Sequence, residues 1–333
     1  MLYPLLFENN FHRLVWGGTR LKPMKGVPAD NEPIGESWEI SAVPSSKSVV
    51  KNGSFAGKTL NELVEQYKEE FLGKSVYARY GNNFPLLIKY IDAAKDLSVQ
   101  VHPNNEMAKA VHNSLGKSEL WYIMKAEPNA KIYVGFKSPI SQYEYEKRIE
   151  DGSICEVLQE HYVKPGDVFY IPAGRVHAIC GGIMLAEIQQ SSDLTYRIFD
   201  YNRPGLDGKP RELHTKLAKE ALDYNVYPNY HVEYNSVINK PIPLEVNEIF
   251  SIKLLQVNRA FHRKLYKYDS FVIYMCLEGN ATITLRDTNE SITLTEGNSC
   301  LIPAGVADFD VAPNNSSGIT KLLEVYIDNK NFN

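Results

Sequence analysis

The chain has little cysteine, no surplus of either charge and no long apolar run, and each shortage removes a class of protein. Four cysteines in 333 residues, Cys155, Cys180, Cys276 and Cys300, are scattered without a Cys-x-x-Cys spacing, which argues against a disulfide framework and against a zinc ribbon. They read as buried thiols. Lysine and arginine total 36 against 40 aspartates and glutamates, a net charge of −4, so no basic surplus points to nucleic acid. No apolar stretch approaches membrane-spanning length. The N-terminus, Met1-Leu-Tyr-Pro-Leu-Leu-Phe-Glu8, lacks the charged lead and small-residue cleavage site of a secretory leader and reads as a first strand. The expectation is a cytoplasmic chain, 44% hydrophobic and long enough for two cores, without a nucleic-acid or membrane partner, as a monomer or homodimer.

What the chain does contain is a repeat. Pro165-Gly-Asp-Val-Phe-Tyr-Ile-Pro172-Ala-Gly174-Arg-Val-His177-Ala-Ile returns 131 positions later as Glu296-Gly-Asn-Ser-Cys-Leu-Ile-Pro303-Ala-Gly305-Val-Ala-Asp308-Phe-Asp. In each copy a glycine turn launches a short apolar strand, a Pro-Ala-Gly turn ends it, and a polar residue follows the second glycine. Only the first copy presents an imidazole there. If the hairpin binds metal, the first half holds it and the second supports.

Strand-like texture dominates the rest. Phe84 to Ile91, Leu120 to Met124, Lys131 to Phe136, Asp167 to Ile171 and Ile183 to Gln189 read as strands in the first half. Ile252 to Val257, Phe271 to Leu277, Ala281 to Leu285 and Lys321 to Ile327 do so in the second. Helical periodicity appears at Leu60 to Phe71, with Thr59 as N-cap, at Glu212 to Tyr224, and in a short stretch from Asn104 to Asn113. Short strands between Gly, Pro and Asn turns predict a mainly β fold of barrel or jelly-roll type. The Asn-, Tyr- and Pro-rich segment from Tyr227 to Pro243 reads as a connector, dividing the chain into residues 1–226 and 227–333.

The first hairpin, with Gly166, Pro172, Gly174 and His177, resembles the second conserved motif of cupins, although Gly181 stands where an Asn usually closes it. Its bland reading is a hairpin with a buried, hydrogen-bonded histidine. An upstream cluster favours metal: Leu97-Ser98-Val-Gln100-Val-His102-Pro103, then Gly116-Lys117-Ser-Glu119. Gln100 and His102 fall on one strand face. With His177 and a carboxylate they make the N/O donor set of a catalytic zinc site that leaves room for water or substrate.

Several segments together, Val15-Trp16-Gly-Gly18, Gly35-Glu-Ser-Trp38-Glu-Ile-Ser41, Phe84-Pro-Leu-Leu-Ile-Lys89, Gln100-Val-His-Pro103, Gly116-Lys-Ser-Glu119 and Ala186-Glu187-Ile-Gln-Gln-Ser-Ser-Asp193-Leu-Thr-Tyr-Arg197, resemble type I mannose-6-phosphate isomerases in their short bacterial form, over about residues 1 to 330. The resemblance implies two cupin/jelly-roll β-barrels with a few added helices, the first catalytic and the second degenerate and without metal. It also implies one zinc ion per chain and interconversion of mannose 6-phosphate and fructose 6-phosphate through an enediol. A generic cupin motif would choose Glu106 as the carboxylate ligand; the isomerase pattern chooses Glu119, giving His102, Glu119, His177 and Gln100. Glu187, Asp193 and Arg197 match pocket positions. Arg197 is assigned to steadying the charged intermediate, because a guanidinium stays protonated and binds oxygen bidentately. Glu187 is the candidate base, with a histidine or a metal-bound water as alternatives. Lys89 and Ser98 are candidates for the substrate phosphate; Lys117 is a third candidate there and is counted with the catalytic set. Trp16 and Trp38 read as packing residues. Two rival classes stay open: a non-catalytic sugar-phosphate sensor, and another cupin enzyme such as an iron dioxygenase.

Overall fold

The computed structural model describes residues 1–314 and 318–328. Its strands form four sheets in two back-to-back pairs. In the first half a six-stranded sheet has the spatial order Phe11–Gly18, Ile34–Ile40, Leu86–Ala93, Ile183–Gln190, Glu119–Ala126, Val168–Ile171. A five-stranded sheet, in the order Tyr196–Phe199, Val99–Val101, His177–Ile179, Lys131–Phe136, Leu158–Tyr162, faces it. The second half repeats the plan. Its six-stranded sheet runs Leu5–Leu6, Ser299–Ile302, Val272–Glu278, Thr320–Tyr326, Ser251–Val257, Ile242–Val246, opposite a four-stranded sheet of Phe261–Lys264, Asp308–Pro313, Asn280–Leu285 and Ser291–Thr295. The expected barrels are thus jelly-roll-like sandwiches with open edges, since no ladder joins the two sheets of either half among the described residues.

The two six-stranded sheets pack against each other, and period-two alternation explains how their central strands serve two cores. Every residue of Leu86–Ala93 and Ile183–Gln190 is buried. Ile88, Tyr90, Met184, Ala186 and Ile188 point into the core shared with Ile252, Ile273, Met275, Leu323 and Val325 of the second half. The alternate positions, Ile91, Ile183 and Leu185, point into the first sandwich with Trp121 and Ile179. Lys89, Glu187 and Gln189 share that inner parity, whereas Asp92 and Gln190, near the strand ends, take the other. Covered on both sides, such strands read as near-continuous apolar runs.

The helix Leu60–Leu72 starts where expected: Thr59 Oγ1 accepts from the Glu62 amide, and Glu62 accepts from the Thr59 amide, a reciprocal cap. Asn104 caps Asn105–His112, its side chain accepting from the Met107 amide. The third expected helix is shorter, Thr215–Ala221. Residues 212–214 run beside the strand Tyr196–Phe199 instead, where Glu212 and Arg197 carbonyls accept from Arg197 Nη1 and the His214 amide, each at 2.7 Å. Two further helices, Lys74–Tyr80 and Gln142–Glu150, are not apparent from periodicity. The connector runs along the first half, its Val232 amide donating to Val168 O at 2.8 Å. The first strand crosses the other way, pairing Leu5 with Leu301. Among the described residues no helix is long and apolar enough to cross a membrane.

Both copies of the repeat form the same strand–turn–strand unit, but their second strands differ by one residue in facing. His177 and Ile179 are buried, whereas in the second copy Phe309 and Val311 fill the interior. Asp308, aligned with His177, therefore lies on the outer face, 2.7 Å from His262 Nε2. A one-residue slip reverses every side chain of a strand.

Candidate metal and active site

Strand register assembles the site. In the six-stranded sheet, Glu187 stands opposite Lys89 on one side and Trp121 on the other, and Gln189 stands opposite Glu119. In the facing sheet His177 stands opposite Gln100, which in turn stands opposite Arg197. Two rows of polar residues thereby confront each other across the first sandwich. His102 follows the Gln100 strand, and its carbonyl accepts from the Gly174 amide at 2.9 Å. Gly174 has φ of +89°, a left-handed turn that favours glycine and lets the hairpin double back beside His102.

His102, Glu119 and His177 form a group whose ligand atoms all lie within 4.8 Å of one another. His102 Nδ1 meets Leu194 O at 2.9 Å and His177 Nδ1 meets Arg175 O at 2.8 Å. A carbonyl can only accept, so both Nδ1 atoms carry the proton and both Nε2 lone pairs turn inward. This is the second shell found behind metal-bound histidines. Each Nε2 lies 3.4 Å from a Glu119 oxygen. Zinc bonds of about 2.0–2.2 Å imply tetrahedral edges of about 3.4 Å. His177 Nε2 and both Glu119 oxygens are buried without a hydrogen bond of good geometry, and buried polar atoms left so point to a partner. Lys117 Nζ reaches this cluster from the cavity side, 2.9 Å from Glu119 and 3.0 Å from His102 Nε2. Burial, with Lys117 beside it, pushes the His102 imidazole down to about 3. His177 is also lowered, mainly by burial. Burial would raise Glu119, but Lys117 and the two histidines hold it well below the usual carboxylate range. All three are thus poised as unprotonated donors.

Above this cluster lies a cavity of about 220 Å³ lined by polar side chains. On its wall, Glu187 Oε2 accepts from Trp121 Nε1 at 3.0 Å, while Glu187 Oε1 lies 3.4 Å from Lys89 Nζ. Oε1 has no hydrogen bond and is buried. Burial and the nearby Glu119 charge raise the Glu187 pKa. At the mouth, Arg197 and Arg211 both line the cavity. Arg211 is clamped by Asp200 through two bonds, at 2.8 and 2.6 Å. Burial and repulsion from Arg211 lower Arg197, which signals excess positive charge at that end.

Every cavity residue anticipated from the sequence reaches this place. Gln100, Ser98, Lys89, Lys117, Glu187, Asp193 and Arg197 line the cavity, with His102, Glu119 and His177 beneath. Glu106 is exposed on its helix, away from the group. Asp193 is exposed at the rim, and no ion pair joins it to Arg197 among the described residues. Lys89 is engaged by carboxylates on two sides, Glu36 and Glu187, each at 3.4 Å. Three titratable lining residues escaped the sequence reading: Glu36, His12 and Arg211. Glu36 stood inside a quoted motif, Gly35-Glu-Ser-Trp38, whereas Arg211 has no local signal and arrives only because residues 200–214 fold back over the mouth.

Comparison with known proteins places the chain among relatives along nearly its whole length. A family model for the catalytic domain of phosphomannose isomerase type I matches residues 5–122, and one for the mannose-6-phosphate isomerase cupin domain matches residues 243–317. The chain is 36% identical over 308 residues to mannose-6-phosphate isomerase ManA of Bacillus subtilis, covering 92% of this chain and 95% of that protein. A crystal structure of the mannose 6-phosphate isomerase from Bacillus subtilis superposes with a TM-score of 0.86 at 33% identity, over 97% of this chain and 99% of that one. A mannose 6-phosphate isomerase crystallised with zinc and yttrium shares the fold, with a TM-score of 0.75 at 18% identity over 98% of this chain and 99% of that one. Sequence and fold thus agree along nearly the whole chain, which belongs to the type I mannose-6-phosphate isomerase family of enzymes.

Proposed function

We propose that the chain interconverts mannose 6-phosphate and fructose 6-phosphate through an enediol, using one zinc ion held by His102, Glu119 and His177, with Gln100 beside them. The observation that carries the proposal is the buried His–Glu–His group with inward-facing, unprotonated donors at the foot of a cavity that also contains a carboxylate oxygen without a hydrogen bond. Zinc held by these residues would supply Lewis-acid stabilisation of negative charge on the substrate. The chemistry is assigned to the first half, residues 1–226.

The remaining work falls to side chains. Glu187 Oε1, raised in pKa and without a hydrogen bond, takes the proton from C2 of the opened aldose and returns it to C1, while the hydroxyl proton passes from O2 to O1 across the cis-enediol. Lys117 lies beside Glu119 and faces the cavity, where its ammonium favours negative charge developing on the substrate oxygens. Arg197, with Arg211 beside it and the Ser98 hydroxyl on the wall, holds the anionic end of the substrate. Lys89 is the sequence's candidate for that role, but its two carboxylate partners suit it better to holding Glu187. Asp193 at the rim is left to a substrate hydroxyl.

A coupled assay for fructose 6-phosphate, run with and without a chelator, tests the proposal. Turnover that disappears on metal removal and returns with zinc supports it; binding of mannose 6-phosphate without turnover would identify a sensor instead. Arg197→Ala is expected to keep its zinc and lose about 10²–10³-fold in kcat/KM. Unchanged kinetics in that variant would remove Arg197 from the site.

A further inference from the structure

The wall of the cavity carries an arrangement that the isomerisation scheme does not itself require. Two carboxylates share one ammonium: Lys89 Nζ lies 3.4 Å from Glu36 Oε2 and 3.4 Å from Glu187 Oε1. Each carboxylate also accepts from an indole, Glu36 from Trp38 Nε1 at 2.5 Å and Glu187 from Trp121 Nε1 at 3.0 Å. Lys89 Nζ sits over the Trp38 ring, 5.0 Å from its centroid. The series Trp38, Glu36, Lys89, Glu187, Trp121 spans four adjacent strands, with Trp38 opposite Lys89, Lys89 opposite Glu187, and Glu187 opposite Trp121. Lys89 and Glu187 are 5% and 3% exposed, so water screens little of their interaction. Such a buried row is expensive unless each charge is compensated. Here one cation serves two anions, and the register leaves the compensation incomplete.

We propose that Glu36 is a positioning residue for the isomerase reaction: by competing with Glu187 for Lys89 it keeps the Glu187 carboxylate only partly neutralised, and so sets its strength as a base. The physical argument is simple competition. With Glu36 ionised, the ammonium is divided and a second negative charge stands nearby; both effects favour the protonated form of Glu187. With Glu36 neutral, Lys89 pairs with Glu187 alone and the like charge is gone, so Glu187 becomes a weaker base. The other charged or titratable groups facing this row are Glu119 and Lys117 from the metal side and His12 beside Glu36. Glu119 and Lys117 are the same in every variant compared, so the difference between variants reports the Glu36–Lys89–Glu187 row. Glu36 neither joins the metal group nor carries the Glu187 oxygen at issue, so it can be altered without removing a ligand.

The inference rests on Glu187 being the base, and the two can be tested apart. In zinc-loaded protein carrying ¹³C-labelled glutamate carboxyls, the Glu187 resonance is assigned by its loss in E187Q and titrated by NMR. In E36Q the Glu187 midpoint is expected to fall by about one pH unit, and the acid limb of kcat/KM should move with it while zinc content stays the same. K89Q should move the midpoint the opposite way, a reversal that mere loosening of the wall would not produce. A Glu187 midpoint unchanged in E36Q, or one that shifts the same way in E36Q and K89Q, overturns the inference. Whether Glu187 is the base is decided independently by the turnover of E187Q.

Discussion

Glu119→Gln should lower zinc affinity more than about 100-fold, exceeding what loss of a residue behind a ligand does, and abolish turnover at ordinary zinc concentrations. Glu119 is fully buried and lies 3.4 Å from both inward-facing imidazole nitrogens. It is the only acidic member of the group, so the amide removes the one anionic donor that offsets a divalent cation away from water. Lys117, 2.9 Å away, would then face the incoming cation without its partner. The companion variant Glu106→Gln is expected to retain full zinc, because that side chain is exposed in the first turn of its helix. Equilibrium dialysis with metal analysis checks both, and normal zinc in the Glu119 variant would return the ligand to the generic cupin position. The pH dependence of binding carries a further mark. An ordinary histidine, titrating near 6.5, makes zinc compete with protons below neutrality. With His102 held down to about 3 and His177 also lowered, affinity should change little as pH falls from 7 to 5.5.

Glu187→Gln should have a different signature: full zinc content, little change in KM, and kcat lower by about 10²–10⁴-fold, the usual contribution of a positioned base. Its geometry suits the substitution, since Trp121 Nε1 can still donate to the amide oxygen as it does to Glu187 Oε2 at 3.0 Å. The sign of the pH effect follows from burial, the main cause of the raised Glu187 pKa. The active carboxylate forms as pH rises through that raised value, so the acid limb of kcat/KM should lie above the range of an ordinary glutamate. Slow exchange of the C2 proton with solvent, followed by deuterium incorporation, should fall in parallel with kcat. A Glu187→Gln variant that exchanges and turns over normally would transfer the role to one of the other groups around the cavity.

Much of the fold was legible because it is written in short-range chemistry. The Gly166 and Gly297 turns, the alternating strands and the Thr59–Glu62 cap each depend on neighbours within a few residues, and each appears where composition predicts it. The helix expected from Glu212 did not begin there because Arg197, on the neighbouring strand, captures the Glu212 carbonyl. Helix Lys74–Tyr80 was hidden by β-type composition, and its N-terminal amides are met from the second half by Asp269. Asp308 shows the same limit at the level of the repeat. Its alignment with His177 is sound in sequence, yet Phe309 rather than Asp308 takes the inner face, because facing depends on pairing and not on spacing from a glycine.

By itself, the sequence determined the donor types and the family: Gln100, His102, Glu119 and His177, in segments whose order and residue types match one group of enzymes, together with a mainly β chain in two repeating halves. Tertiary structure alone decided how charge is distributed among those residues. That Lys89 is divided between Glu36 and Glu187 depends on cross-strand register, and that Arg211 arrives beside Arg197 depends on a folded-back segment; neither arrangement can be read from spacing along the chain. Electrostatic effects in a buried site depend on distances of a few ångströms, and those distances exist only once the sheets have paired.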